Sequence, residues 1–333
     1  MTGYERVLAT TAGSATEVVP RTPILMQYAA EYIGRDYAAF AADHRVLVEA
    51  NLACARAFDF DQVSCISDPH RETHAFGADI EYLPAGPPRC APPLAGAKDL
   101  ELLRRPDPQQ DERLRDRILA VEAFQQTVGR EYSILGWVEG PAAEAADLRG
   151  VTAFMMDLFD DEAFAGALMD RCLQVAIDFA CAQVEAGADA VGIGDAIASQ
   201  VDPRTYERLI QPREKQLVQA VQGPGAAVKL HICGDITHLL PGIADLGVDV
   251  LDVDHMVDLA AVRAAVGGAV VITGNMDPVA VVRNGTPASI RAAVAQAYEQ
   301  AGNPFMVNAG CEVPSGTPVE NLRALCEPVA YRP

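Results

Sequence analysis

Residues 226–254, AAVKLHICGDITHLLPGIADLGVDVLDVD, contain two short β-like runs joined by a connecting segment. The first run is AAVKLHI (226–232) and the second is VDVLDVD (248–254). Strands that alternate with helical connections are typical of βαβ units, in which the strands lie parallel in one sheet. The number of such units along the chain therefore decides the fold.

Six further runs of the same kind are TPILMQY (22–28), DQVSCIS (61–67), SILGWVE (133–139), DAVGIGD (189–195), AVVITGN (269–275) and FMVNAGC (305–311). Longer stretches with helical spacing lie between most of them, including residues 160–187 and 286–302. The second of these begins with a Thr cap ahead of Pro and ends at Gly. Eight strands that alternate with helices favour an α/β fold closed into a (β/α)8 TIM barrel over an open sheet.

We expect one barrel domain over residues 1–333, because no internal repeat or low-complexity segment divides the chain. Residues 1–20 are predicted to form an N-terminal arm or a helix that packs across a neighbouring face. Residues 68–132 form an insertion after the second predicted strand. Within it, the Pro/Gly-rich residues 81–96 predict a hairpin or loop, and residues 107–129 predict a capped helix.

The composition limits the classes of partner. The chain has 26 Lys and Arg against 46 Asp and Glu, a formal net charge of −20, which argues against nucleic acid and anionic membranes as partners. No apolar stretch is long enough to span a bilayer, and the first twenty residues lack the apolar core of a signal peptide. The eight cysteines are scattered, so we expect a reduced, cytoplasmic protein whose thiols are core residues or metal ligands.

Several predicted strands end in side chains that can bind metals or substrates. His231 and Cys233 are two residues apart, so both lie on one face of a strand. Cys311, at the end of the last predicted strand, would reach the same mouth of the barrel from across it. Two thiolates and one imidazole suit Zn²⁺ and leave a fourth position open for a substrate.

The alternative is that these residues are ordinary core residues. A single buried Cys is most often a small apolar residue, and His-x-Cys alone is a weak motif. What favours the metal site is that all three side chains stand at strand ends.

The segments HICGDITHLLPGIADLGVDVLDVD (231–254), TGNMDP (273–278) and NAGCEVPSGTPVENLRAL (308–325) resemble the uroporphyrinogen decarboxylase superfamily. Within it, they are similar to the zinc- and corrinoid-dependent branch of methylcobamide:coenzyme M methyltransferases. The resemblance covers nearly the whole chain and implies a distorted (β/α)8 barrel.

Carried over position by position, the metal ligands of that branch fall on His231, Cys233 and Cys311. The branch also implies an acidic fourth ligand after the His-x-Cys strand. Asp254 is the preferred residue for it, and His255, water and the substrate are the alternatives.

The implied function is the transfer of a methyl group between a corrinoid such as methylcobalamin, held by a separate carrier protein, and a zinc-activated thiol or another acceptor or donor. Coenzyme M, another thiol, tetrahydrofolate and methoxylated aromatic compounds all remain open as the small substrate. Glu139 and Asp195 are assigned to catalysis, Glu139 as a substrate-binding carboxylate and Asp195 as a group that orients a ligand or the imidazole. Asp68, which matches an acidic position of the superfamily, and Asn308 are assigned to cofactor binding.

Two other functions remain open. A porphyrinogen decarboxylase needs no metal, but residues 21–37 lack the arginine cluster that holds porphyrinogen carboxylates in that branch. A non-catalytic metal- or corrinoid-binding protein on the same scaffold would bind zinc or cobalamin without turnover.

Overall fold

The structure, a computed structural model, describes residues 1–332 and contains in them nine strands. These are β1 (Gln62–Ser64), β2 (Ile80–Glu81), β3 (Arg89–Cys90), β4 (Ser133–Glu139), β5 (Ala190–Gly194), β6 (Ala227–Ile232), β7 (Val250–Val253), β8 (Val271–Met276) and β9 (Phe305–Ala309). Seven of them form one parallel sheet in the order β1-β4-β5-β6-β7-β8-β9. Because each strand of this sheet pairs with the next one along the chain, the sheet curls in one direction, as barrel strands do.

Helices connect the parallel strands. They are α1 (Gly3–Thr11), α2 (Gln27–Tyr32), α3 (Tyr37–Ala42), α4 (His44–Phe58), α5 (Arg71–Ala75), α6 (Glu112–Val128), α7 (Pro141–Arg149), α8 (Val151–Asp160), α9 (Glu162–Glu185), α10 (Pro203–Thr205), α11 (Gln211–Gln222), α12 (Leu240–Ala244), α13 (Leu259–Val266), α14 (Pro287–Ala301) and α15 (Val319–Leu325). Three 3₁₀ turns (Leu100–Leu102, Ala196–Gln200 and Thr237–Leu239) and two π-helical turns (Tyr206–Ile210 and Pro278–Arg283) complete them. In the described part of the chain, no helix is both long enough and apolar enough to cross a membrane.

The helices predicted over 107–129 and 286–302 are present as α6 and α14. Thr286 caps α14 in a capping box with Ser289, Pro287 takes the first helical position, and the helix stops at Gly302. Of the two structures predicted for residues 81–96, a hairpin or a loop, the protein has a hairpin, formed by the antiparallel pair β2–β3.

Seven of the eight predicted strands overlap strands of the sheet, but the prediction of a strand over residues 22–28 is wrong. Residues 22–25 have no ladder of their own, and α2 begins at Gln27. Pro20 and Pro23 have no N–H groups to donate to a neighbouring strand, which limits this segment to isolated bonds.

Residues 20–24, which we call the seam, lie between the two edge strands instead. The amide of Thr22 donates to the carbonyl of Val307 in β9 at 2.8 Å, and the amide of Asp61, beside β1, donates to the carbonyl of Arg21 at 2.8 Å. The Arg21 guanidinium forms a buried ion pair with the Asp61 carboxylate at 3.0 Å. An irregular segment therefore takes the place of the eighth strand, and this is the distortion of the barrel.

The N-terminal arm is the helix α1, which covers the amino-terminal end of the sheet. Val7 of α1 packs in one cluster with Val250, Val271 and Met306, which belong to β7, β8 and β9. The carboxyl-terminal ends of the strands are therefore the open mouth, where barrel enzymes carry their sites.

Candidate metal centre

Three side chains with soft donor atoms meet at the open mouth. His231 lies in β6, Cys233 follows that strand, and Cys311 lies two residues after β9. The Nε2 atom of His231 lies 3.0 Å from Sγ of Cys233, and the two sulfurs are 3.9 Å apart. One donor atom from each residue lies within 4.8 Å of the other two. The structure thus brings Cys311 next to His231 and Cys233, although Cys311 lies 80 positions after His231 in the sequence.

The donor set fits a zinc ion. Two sulfurs on a tetrahedral zinc, each at about 2.3 Å from the metal, are separated by about 3.8 Å. The observed separation of 3.9 Å between Cys233 and Cys311 agrees with that edge. Three protein ligands leave one coordination position for a substrate.

Neighbouring groups fix the orientation of the imidazole. Nδ1 of His231 lies 3.3 Å from the backbone carbonyl of Asp252 in β7, so Nε2 faces the sulfurs. The Asp252 carboxylate lies 2.9 Å from the ammonium of Lys229 and accepts hydrogen bonds from the Asn308 amide at 3.1 and 3.2 Å. Asn308 also accepts a hydrogen bond from the backbone amide of Ile24, in the seam, at 3.2 Å. Such partners hold a ligating imidazole in one tautomer and orientation.

The surroundings of the two cysteines shift their pKa values in opposite directions. Hydrogen bonds from Cys233 and His231 to the Cys311 sulfur lower the pKa of Cys311. The same contact with Cys311 and burial raise the pKa of Cys233. Burial opposes a charge on His231, but Cys311 and the Asp252 carboxylate outweigh it and raise the pKa of the imidazole. This environment favours a thiolate, the form of cysteine that binds metals.

A cavity of about 160 Å³ opens beside the cluster. Its walls combine apolar side chains with a few polar ones, as in small-molecule sites. The lining residues are Ile24, Met26, Ile66, Asp68, Pro69, Trp137, Glu139, Gly194, Ala196, His231, Cys233, Cys311 and Glu312.

Glu139 and Asp68 both line this cavity, and both are held by arginines. Oε1 of Glu139 accepts from Arg71 at 3.0 Å and from the Trp137 indole at 3.3 Å. Burial raises the pKa of Glu139 although Arg71 opposes the shift. Asp68 forms a bidentate pair with Arg113 at 2.6 and 3.1 Å, which outweighs burial and lowers the pKa of Asp68. Asp68 is therefore paired through both oxygens, whereas both of these contacts of Glu139 fall on Oε1.

Asp195, Asn308 and Asp254 do not line the cavity. Asp195 accepts hydrogen bonds from the amides of Ala142 and Ala143 at 3.3 and 2.7 Å. Its carboxylate therefore binds the first turn of α7 and does not contact the imidazole of His231. Asn308 acts through Asp252, as described above.

Asp254 does not belong to the group of donor atoms that lie within 4.8 Å of one another. Its carboxylate accepts from the amides of Gly234 and Met256 at 2.9 and 3.2 Å and lies 2.8 Å from Nδ1 of His255. One of these contacts is with the residue directly after Cys233, so the Asp254 carboxylate lies beside the loop that carries this cysteine.

Three residues of the site were not predicted from the sequence. Lys229 stands two positions before His231, so the alternation of the strand places it on the same face. Glu312 directly follows Cys311, and burial raises the pKa of its carboxyl to about 7. Trp137 lies two residues before Glu139 on β4, so the alternation of that strand likewise places the two side chains on one face.

The uroporphyrinogen decarboxylase (URO-D) family model matches residues 2–331. The chain belongs to this family. The resemblance inferred from the sequence is thereby confirmed, and the family is one of enzymes. Uroporphyrinogen decarboxylase of Gloeobacter violaceus is 28% identical over 329 residues, 93% of each chain.

Methyltransferases are also among the relatives of this URO-D family member. The methylcobamide:CoM methyltransferase MtbA of Methanosarcina mazei is 34% identical over 210 residues, which are 62% of this chain and 61% of the relative. The match thus spans about three fifths of that methyltransferase.

A solved methyltransferase from Methanosarcina mazei has the same fold. It superposes with a TM-score of 0.89 over 98% of this chain and 97% of its own, at 24% identity. This confirms the predicted fold class, a distorted (β/α)8 barrel.

Proposed function

We propose that this protein is a zinc-dependent methyltransferase that moves a methyl group between a corrinoid and a small substrate such as a thiol. The observation that supports it most is the cluster of His231, Cys233 and Cys311 at the mouth of the barrel, with donor atoms within 4.8 Å of one another. The corrinoid would be presented by a separate carrier protein, as the likeness to methylcobamide methyltransferases suggests.

The chain's own residues would hold and aim the metal. A bound zinc ion would supply Lewis acidity that keeps a substrate thiol as the nucleophilic thiolate near neutral pH. His231, Cys233 and Cys311 would be its protein ligands. Asp252 lies against the imidazole through its carbonyl, and Ile24, Ile66 and Trp137 form an apolar part of the cavity wall.

The lining of the cavity supports methyl transfer over porphyrinogen decarboxylation. A porphyrinogen carries several carboxylates, which need cationic partners. Arg21, in the segment where decarboxylases have an arginine cluster, is buried in its pair with Asp61. No Lys or Arg is among the residues that line the cavity.

Zinc content gives the first test. Protein purified without chelators is expected to hold about one zinc per chain, a stoichiometry set by one three-ligand site. C311S should lose most of the metal, whereas C181S, on the outer helix α9, should keep it. A content far below one zinc in the unaltered protein would contradict the proposal.

Methyl transfer gives the second test. Methylcobalamin mixed with small thiols should lose its methyl–cobalt absorbance band faster with the protein than without it, and the gain should vanish in H231A and C311S. C181S again serves as the control. Zinc binding without any loss of the band would indicate a non-catalytic binding protein, and release of CO₂ from uroporphyrinogen would indicate a decarboxylase.

A further inference from the structure

The cavity beside the metal centre is lined by acidic residues and by no basic side chain except His231. Its charged or polar lining consists of Asp68, Glu139 and Glu312 in addition to the three metal-binding candidates. Coulomb interactions are strong in such a partly dry site, so the sign of the lining selects the sign of a ligand.

Nearby arginines neutralise only part of this acidic lining. Arg113 pairs with Asp68 and balances it. Arg71 has to serve two carboxylates, since it lies 3.0 Å from Glu139 and 3.5 Å from Glu72. One cation shared by two carboxyl groups leaves no excess positive charge on the Glu139 side of the cavity.

Glu312 has no cationic partner among residues 1–332 that would balance it. Its recorded hydrogen bond is from the backbone amide of Gln27 at 2.9 Å, and no ion pair involves its carboxylate. The carboxylate is half-buried and belongs to the cavity wall. An acidic side chain without a cationic partner among residues 1–332 therefore borders the cavity next to Cys311.

Trp137 adds an aromatic surface to the same wall, and Gly192 and Gly194 make room for its ring. Indole faces attract ammonium groups, and carboxylates around an aromatic ring strengthen that preference.

We propose that the small substrate is positively charged, with an ammonium group that lies against Trp137 and the carboxylates of Glu139 and Glu312. This inference rests on the proposed function and names the substrate class of the same site. It excludes anionic thiols such as 2-mercaptoethanesulfonate as preferred substrates.

Three thiols of similar size test this charge preference: cysteamine, which is cationic, 2-mercaptoethanol, which is neutral, and 2-mercaptoethanesulfonate, which is anionic. Their affinities for the zinc-loaded full-length protein are measured by calorimetry in slightly alkaline buffer, and their rates in the methylcobalamin assay are measured beside them. We expect cysteamine to bind about tenfold or more tightly than the sulfonate, a factor within reach of one charge contact.

E312Q and E139Q should each reduce the ratio of cysteamine affinity to 2-mercaptoethanesulfonate affinity several-fold, mainly by weakening cysteamine binding. E312Q is the cleaner variant because it breaks no ion pair, and the zinc content of both is measured alongside. E299Q, which removes an exposed carboxylate of α14, changes the net charge equally and should leave the ratio unchanged.

Equal or tighter binding of the sulfonate would overturn the inference, as would a ratio that neither variant alters or the failure of all three thiols to bind. If methylcobalamin is demethylated without regard to thiol charge, the inference fails and the proposed function stands. If zinc is absent and no thiol promotes demethylation, the proposed function itself fails.

Discussion

At the scale of single residues, Asp252 connects the candidate metal centre to the interior of the barrel. Its carboxylate is fully buried between Lys229 and Asn308, while its carbonyl faces the ring of His231. D252N would leave the Lys229 ammonium buried without a counter-charge, and such a loss costs about 3–5 kcal/mol. We expect the free energy of unfolding to fall by that amount in urea titrations.

Two further variants check the cause. K229M combined with D252N removes both charges and should recover part of the lost stability, which a double-mutant cycle would reveal. D245N breaks a surface pair with Lys215 and should change little. A stability loss in D252N below about 1 kcal/mol, the range of surface pairs, would show that Lys229 finds another partner.

A second residue, Glu214, predicts how stability depends on pH. It is buried in α11, where burial and the nearby Asp195 raise its pKa to about 8, and Oε1 has no hydrogen-bond partner in the described chain. Tyr206 donates to Oε2 at 2.6 Å. Because the unfolded carboxyl has a pKa of about 4.3, the folded protein binds more protons between that value and the folded pKa.

The stability that Glu214 contributes is therefore complete below the unfolded pKa and is lost as pH rises through about 8. Thermal unfolding across this range should show lower stability at alkaline pH. E214Q should flatten the slope in part, because Asp195, with its pKa raised to about 7, keeps its own contribution. The same slope in E214Q and the unaltered protein would contradict this assignment.

At the scale of elements, the register of β4 and β5 shapes the cavity. Gly192 of β5 pairs with Trp137 of β4, and a Cβ at Gly192 would lie 2.1 Å from the indole Cε3. G192A should push the ring into the cavity and destabilise the protein by about 1–3 kcal/mol, as overpacking does. Trp137 is the one tryptophan of the chain, so its fluorescence reports the displacement directly.

The control for this variant is G268A, because a Cβ at Gly268 meets no atom within 4 Å. The emission maximum and the thiol affinity should change in G192A and stay constant in G268A. Unchanged emission in G192A would mean that β5 shifts as a whole and leaves the ring in place.

The elements also show what a sequence can predict about this fold. The spacing of apolar residues and the helix-capping residues predicted α6, α14 and seven strands, because these signals lie within each element. Residues 22–28 predict a strand because they contain the apolar run Ile24, Leu25 and Met26. Pro20 and Pro23 have no N–H to donate, however, and the hydrogen bonds that hold the seam come from β9 and from Asp61 beside β1. Such partners are distant in sequence and leave no local pattern.

The same distinction applies to the site. The two-residue spacing of His231 and Cys233 fixed their common face, and the barrel topology brought Cys311 to them. The orientations of the Asp195 and Asp254 side chains depend instead on backbone amides that donate hydrogen bonds to them. These amides belong to α7 for Asp195 and to the loop after β6 for Asp254. The spacing of residues in the sequence does not predict which backbone amides will bind these carboxylates.

At the scale of the whole molecule, metal binding should stabilise the fold. The three proposed ligands lie in or just after β6 and β9, so an ion would link two strands that are not neighbours in the sheet. Free zinc at about 100 times its Kd should raise the free energy of unfolding by about 2.7 kcal/mol. Chemical denaturation with and without added zinc measures this, and C181S serves as the control.

C311S should show no such gain. If zinc raised the stability of C311S as much as that of the unaltered protein, the ion would have to bind elsewhere, and the proposed ligand set would be wrong.

The seam has a consequence for how the molecule comes apart. One amide side chain, that of Asn308, holds the backbone of Ile24 on one side and the carboxylate of Asp252 on the other. The segment that closes the barrel and the residue beside the imidazole of His231 are thus held by the same side chain. If the N-terminal stretch detached, Asn308 would lose one of its two partners, and the buried Asp252 beside His231 would be less tightly held.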